Sequence, residues 1–217
     1  MPGTEGTFWS SSVSLWNTTT ANVWIDLEYM PEKTNNSGGG LFAWRFELDP
    51  HETLYLADVL KDKFDITNGK GVLIVHSGGP ITVTSRVFTG CEPCPDGGIS
   101  GNGVRSVWTT ALDSGTTVLP GVRVLDGFRT NVGVVTGDTS VSFTFDLRDQ
   151  GGTLRGTAFR SLPPRTLQQW SIGKLFGSSY VEPDPAGSIV VEADRPYVVY
   201  MTVIDGTSQD PVFVMPQ

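Results

Sequence analysis

The chain has 217 residues, 38% of them hydrophobic and 18% charged; this supplies a packed core for one large or two ordinary domains and excludes a disordered chain. The formal net charge of −8 is shared by both halves, with seven Lys/Arg against twelve Asp/Glu up to residue 112 and eight against eleven after it. No basic cluster is present to neutralise phosphates, which argues against nucleic acid and anionic lipid as partners, and no apolar run approaches the roughly eighteen residues of a membrane-spanning helix, so no membrane insertion is expected.

The N-terminal MPGTEGTFW has neither the basic start nor the apolar stretch of a signal peptide. Two readings follow: a cytosolic chain, or a mature or excised piece of a secreted one. The repeat described below favours the second. An alternating strand begins in FWSSSVSLWN, around Val13 and Leu15, and ends near Trp16. The next run, Val23-Trp24-Ile25-Asp26-Leu27-Glu28-Tyr29, alternates with period 2. Its odd positions are apolar and face a core; its even positions place Trp24, Asp26 and Glu28 outward, since carboxylates are costly to bury without partners. Asn17-Thr-Thr and Asn35-Asn-Ser match the glycosylation sequon, which matters in a eukaryotic source.

Asp49-Pro50-His51-Glu52 brings a histidine between two carboxylates, a grouping suited to acid–base work. Its counterpart later in the chain, Pro163-Pro164-Arg165-Thr166, is an ordinary turn, so an exposed turn is expected here too. Tyr55–Leu60 reads as a short helical turn. Asp65–Gly71 has the look of a calcium loop without its regular oxygen spacing or closing Glu, and Asn-Gly turn chemistry explains it more simply. Weak Ca2+ binding there or at Glu182-Pro-Asp184 stays open; no other cofactor is expected. Gly71–Val87 reads as two strands around a turn, with Pro80 opening the second, where a missing N–H does least harm. His76-Ser77 would suit a nucleophile, but Glu192-Ala193 stands in its place in the second half. Cys91-Glu-Pro-Cys94 lies in a Gly/Pro-rich loop, 89–103. Such a pair serves as a redox couple, as half of a metal site, or as a disulfide clipping the loop, the expected state in an oxidising compartment.

The second half repeats the first. Val132–Val134 matches Val13–Leu15 at an offset of 119, and Val141, Phe143, Phe145 and Leu147 match Val23, Ile25, Leu27 and Tyr29 at 118. Leu162 and Pro164 match Leu48 and Pro50, and Trp170–Phe176 supplies a second helical turn. Gly187, Ile189, Val191, Pro196, Tyr197, Val199 and Val203 match Gly71, Leu73, Val75, Pro80, Ile81, Val83 and Val87 at 116, and PVFVMP is set against SVWTTA. Such self-similarity marks a tandem array. The second copy also has a leading strand, Thr117–Arg123, where the first has only Pro2–Gly6. Either the missing strand lies upstream in a longer array, or the first module presents an open edge for strand addition. The fold expected is all-β: two tandem antiparallel β-sandwich domains, 1–112 and 113–217, each with a short helical plug.

The repeated strand pattern, the L-x-P turn, the helical plug and the G-x-[LI]-x-V … P-[IY]-x-V run resemble bacterial extracellular immunoglobulin-like tandem repeats. That resemblance implies a secreted or cell-surface location and a role in adhesion, scaffolding or spacing, and it carries over no binding residue. No catalytic motif is present, so an enzyme is not expected. Two functions remain. One is a structural or assembly module of a surface protein or filament, acting on other subunits or copies of itself through β-edges or end-to-end packing. The other is an adhesion module that binds carbohydrate or protein through Trp24, Asp26 and Glu28, with Trp16 as a further candidate.

Overall fold

The computed structural model describes residues 8–90, 99–104, 106–107, 114–177, 180, 186–208 and 211–216. They form an all-β structure of four antiparallel sheets with two short helices. The chain divides into two compact units. The first comprises Met1–Pro31 and Gly38–Ser106, and the second Glu32–Ser37 and Val107–Gln217. Six residues between the second and third strands, Glu32–Ser37, group with the second unit. There the Lys33 N–H donates to the Leu167 carbonyl at 2.9 Å, and the buried Asn36 donates its side-chain amide to the Arg165 carbonyl at 2.8 Å.

In the first unit, β1 (Phe8–Asn17), β4 (Thr53–Leu56), β6 (Ile81–Gly90) and β7 (Ile99–Val104) form one sheet, ordered β4-β1-β6-β7. β2 (Val23–Pro31), β3 (Leu41–Leu48) and β5 (Gly71–Ser77) form the other, ordered β3-β2-β5, and α1 (Val59–Phe64) lies between β4 and β5 in the chain. Period-2 alternation makes this arrangement work. Val13 and Leu15 from one sheet meet Val23, Ile25 and Leu27 from the other in one apolar core, closed by Leu48, Leu56, Val59 and Ile81. The architecture is thus sandwich-like.

The second unit repeats this order and adds a strand. β9 (Arg129–Thr136), β12 (Leu167–Ser171), β14 (Tyr197–Ile204) and β15 (Pro211–Val214) are ordered β12-β9-β14-β15, matching β4-β1-β6-β7. β8 (Gly115–Val122), β10 (Val141–Asp149), β11 (Leu154–Leu162) and β13 (Gly187–Ala193) are ordered β11-β10-β13-β8, matching β3-β2-β5 with β8 added at the end. α2 (Ile172–Phe176) takes the place of α1. Both helices are capped by the side chain before them: Asp58 accepts from the Lys61 N–H and Ser171 from the Lys174 N–H.

Different residues do the same job at the end of the first strand of each copy. Asn17 is fully buried and its amide donates to the carbonyls of Ala21, Leu48 and Asp49, tying β1 to the following turn. Its counterpart Thr136 donates to the Pro163 carbonyl and accepts from the Thr166 N–H. Asn17 is therefore a structural tie with no accessible amide for glycosylation. His51 and Arg165 both adopt positive φ, at 60° and 50°, in these equivalent turns. His51 is an exposed turn residue, as its repeat partner implies.

One alignment and two sets of element bounds are corrected. The last strand of the first unit is Ile99–Val104, paired with β6, so SVWTTA is not the partner of PVFVMP. Ser106 and Val107 lie outside any strand, and 108–111 are outside the described residues. The span 89–103, expected as a loop, includes strand at both ends, since β6 runs through Gly90 and β7 begins at Ile99. Cys91 and Cys94 lie outside the described residues, as does Glu182-Pro-Asp184. The helical turns also begin later than expected, because Tyr55–Leu56 and Trp170–Ser171 still belong to strands.

Candidate functional site: the outer face and free edge of the β3-β2-β5 sheet

Alternation in β2 sends Trp24, Asp26 and Glu28 to the face away from the core, and the neighbouring strands add two groups that sequence reasoning had not joined to them. Arg45 on β3 stands directly opposite Asp26, and His76 on β5 stands opposite it on the other side. Arg45 donates from Nε to Asp26 Oδ1 at 2.7 Å and from Nη2 to Asp26 Oδ2, a two-point fork. These hydrogen bonds hold the Asp26 carboxyl below the usual carboxylate range and hold the Arg45 guanidinium above its usual value. His76 Nε2 lies 3.1 Å from Glu28 Oε2, and the other Glu28 oxygen accepts from the Gly40 N–H at 2.8 Å.

Trp24 is 42% exposed. Its indole lies back over Gly78, where any Cβ would strike the ring, and the Arg45 guanidinium sits 5.4 Å from the ring centroid. Trp44 does not cover it. That residue pairs with Leu27, on the opposite face of the sheet, and carries Lys63 of α1 3.5 Å above its own ring. Trp24, Asp26, Glu28, Gly39, Gly40 and His76 line an open depression of about 390 Å³. Trp16 is equally exposed but stands on β1, in the other sheet, beside Thr53 and Thr82. It is not part of this site.

The arrangement is an indole platform beside paired charges. His76 and Ser77 point apart: the Ser77 hydroxyl donates to the Gly79 carbonyl at 2.8 Å while His76 meets Glu28, so the two do not form a nucleophile–base pair. Among the described residues no three His, Cys, Asp or Glu side chains converge as metal ligands. In the loop suspected of binding calcium, Asp65 is the left-handed C-cap of α1 and Gly69 packs on the Tyr29 hydroxyl.

The second feature is the edge of β5. The Gly78 N–H donates to the Trp24 carbonyl at 3.0 Å, which fixes the hydrogen-bonded pairs of the β2–β5 ladder as Trp24/Gly78, Asp26/His76, Glu28/Ile74 and Met30/Val72. The backbone groups of Gly71, Leu73, Val75 and Ser77 therefore point away from β2. In the second unit the corresponding groups, on Gly187, Ile189, Val191 and Ala193, face β8. Pro120 of β8 pairs with Ser188 at a position where no ladder bond is made, so its missing N–H costs nothing. Among the described residues no strand pairs with the outer side of β5.

The side chains show the same difference. Ile189 and Val191, on the strand beside β8, are fully buried, as are Leu119 and Val122 of β8 itself. Their counterparts Leu73 and Val75 pack against the core but are only partly buried. No family model, no curated protein and no solved structure matches this chain. Among the described residues no helix is long and apolar enough to cross a membrane.

Proposed function

We propose that the chain is a tandem of two immunoglobulin-like β-sandwich modules that serves as a non-enzymatic extracellular structural or assembly subunit, and that it assembles by receiving a strand from a neighbouring chain on the edge of β5. One observation carries this reading. The strand that occupies the matching edge in the second unit, β8, has no counterpart beside β5 among the described residues, and the residues it would cover are left partly exposed. An unpaired row of backbone donors and acceptors next to incompletely buried aliphatic side chains is a template for strand addition.

Light scattering over a wide concentration range, with electron microscopy of the same sample, is the test. Regular assemblies that disappear in Val75→Pro, a change that removes an edge N–H but no bond to β2, support the reading. A chain that stays monomeric at every concentration contradicts it.

A second reading rests on the exposed Trp24 beside Arg45 and His76. An indole of this kind stacks on a sugar ring or anchors a protein side chain. Under this reading Trp24→Ala abolishes binding to surface glycans or proteins and Trp16→Ala does not. Unchanged binding in Trp24→Ala removes the site from consideration.

A further inference from the structure

The second unit contains a worked pattern for what the β5 edge receives. We infer that the occupant is an antiparallel extended segment with the chemistry of β8, an aliphatic residue facing Leu73, a second aliphatic residue at the level of Gly71, and no requirement for charge. This inference rests on the reading of β5 as an assembly edge and names the partner of that edge.

Register follows from the repeat. β13 pairs with β8 through Ile189↔Leu119, Val191↔Thr117, Ala193↔Gly115 and Gly187↔Val122. Carried to β5 at the repeat offset of 116, Leu119 falls opposite Leu73, Thr117 opposite Val75, Gly115 opposite Ser77 and Val122 opposite Gly71. The positions that must exchange backbone hydrogen bonds are those whose groups point off the edge of β5. Proline is tolerated opposite Val72, as Pro120 is opposite Ser188, because neither residue bonds across that ladder. The aliphatic side chains at the Leu119 and Val122 positions enter the core layer, where they are wholly buried in the second unit.

The orientation has a second consequence. In the second unit Gly115 and Thr116 at the start of β8 help to wall an open depression of about 750 Å³ with Ser142, Thr144, Phe159 and Glu192. Ser142 and Glu192 are the counterparts of Trp24 and His76. A strand docked on β5 in the same direction brings its N-terminal end to the rim of the Trp24 depression. The edge and the outer face thus become one surface when the strand is in place.

The experiment uses the full chain and a synthetic peptide of residues 114–123, SGTTVLPGVR. Binding is followed by anisotropy of a labelled peptide, and orientation by quenching of tryptophan emission from a quencher at either peptide end. The expected result is saturable binding at one site, weakened about tenfold or more by Leu119→Asp in the peptide, since an aliphatic side chain is then withheld from the core. The peptide change leaves the fold of the protein untouched. An N-terminal quencher lowers emission more than a C-terminal one, and the difference disappears in Trp24→Phe. Failure to bind, binding indifferent to Leu119→Asp, or stronger quenching from the C-terminus each overturns the inference. If the peptide fails while Val75→Pro still dissolves the assemblies, the occupant is wrong and the edge stands. If Val75→Pro leaves the assemblies intact, the assembly edge itself is wrong.

Discussion

β5 and β13 hold the same place in the two units and read alike in sequence, yet β13 is an interior strand and β5 is an edge among the described residues. The difference lies in one neighbour. β8 flanks Ile189 and Val191, which are fully buried, and adds Leu119 and Val122 to the core, whereas Leu73 and Val75 keep part of their surface. The core of the first unit, centred on Leu15, Ile25 and Leu27, is fully buried with no described strand beside the outer side of β5. The outer faces diverge as well. Trp24, Asp26 and Arg45 in one unit are replaced by Ser142, Thr144 and Phe159 in the other, and Phe159 is 71% exposed. A shared frame thus carries two unlike surfaces.

The largest effect is expected in β8. Leu119→Ala empties a fully buried site and should destabilise the second unit by about 2–5 kcal/mol, leaving the first unit unchanged. Denaturant unfolding monitored separately in each unit checks this; equal loss in both would mean that β8 does not belong to one unit alone. A pair of proline substitutions distinguishes the two strands next. Val191→Pro removes an N–H from the ladder with Thr117 and should cost about 1–3 kcal/mol from the unpaired group, beyond any strain from the ring. Val75→Pro removes the corresponding N–H where no described strand accepts it, so its cost should be clearly smaller in the monomer. Similar costs in the two variants would show that β5 is paired.

The smallest effect concerns pH. Arg45 holds the Asp26 carboxyl below its ordinary range, so the pair contributes stability that is present above the unfolded-state value of about 3.9 and is lost as pH falls through the depressed folded value. Arg45→Ala should move the Asp26 midpoint upward in a carboxyl NMR titration. The counterpart of Asp26 is Thr144, so the second unit has no such pair at this position. The change in stability should be slight, because Arg45 is largely solvated. An unmoved midpoint would rule out Arg45 as the cause.

Much of this was legible in the residues. Val23, Ile25, Leu27 and Tyr29 announce a buried face through period 2, and the same rule turns Trp24 outward. The match of Gly71–Val87 to Gly187–Val203 placed four strands correctly, and the leading strand of the second copy was visible as Thr117–Arg123. Alternation gives faces and not neighbours, however. Arg45 and His76 were not joined to Asp26 and Glu28 because they lie on strands whose pairing only the fold reveals. The cost of leaving two carboxylates on one strand face without hydrogen-bond donors would have pointed toward them. The assignment of Glu32–Ser37 to the second unit left no signal, because it depends on hydrogen bonds to Leu167 and Arg165 more than a hundred residues away. SVWTTA was matched to PVFVMP in place of Ile99–Val104, because the Gly-rich ISGNGV carries too few apolar residues to read as a strand.

Amide hydrogen exchange of the monomeric chain reads out whether the outer edge of β5 is open. The account predicts fast exchange at Leu73, Val75 and Ser77 and strong protection at Ile189, Val191 and Ala193, with protection at Ile74 and His76 intact because those groups bond to β2. Protection of Leu73 and Val75 equal to that of Ile189 and Val191 would show that the β5 edge is already occupied, and would contradict the account.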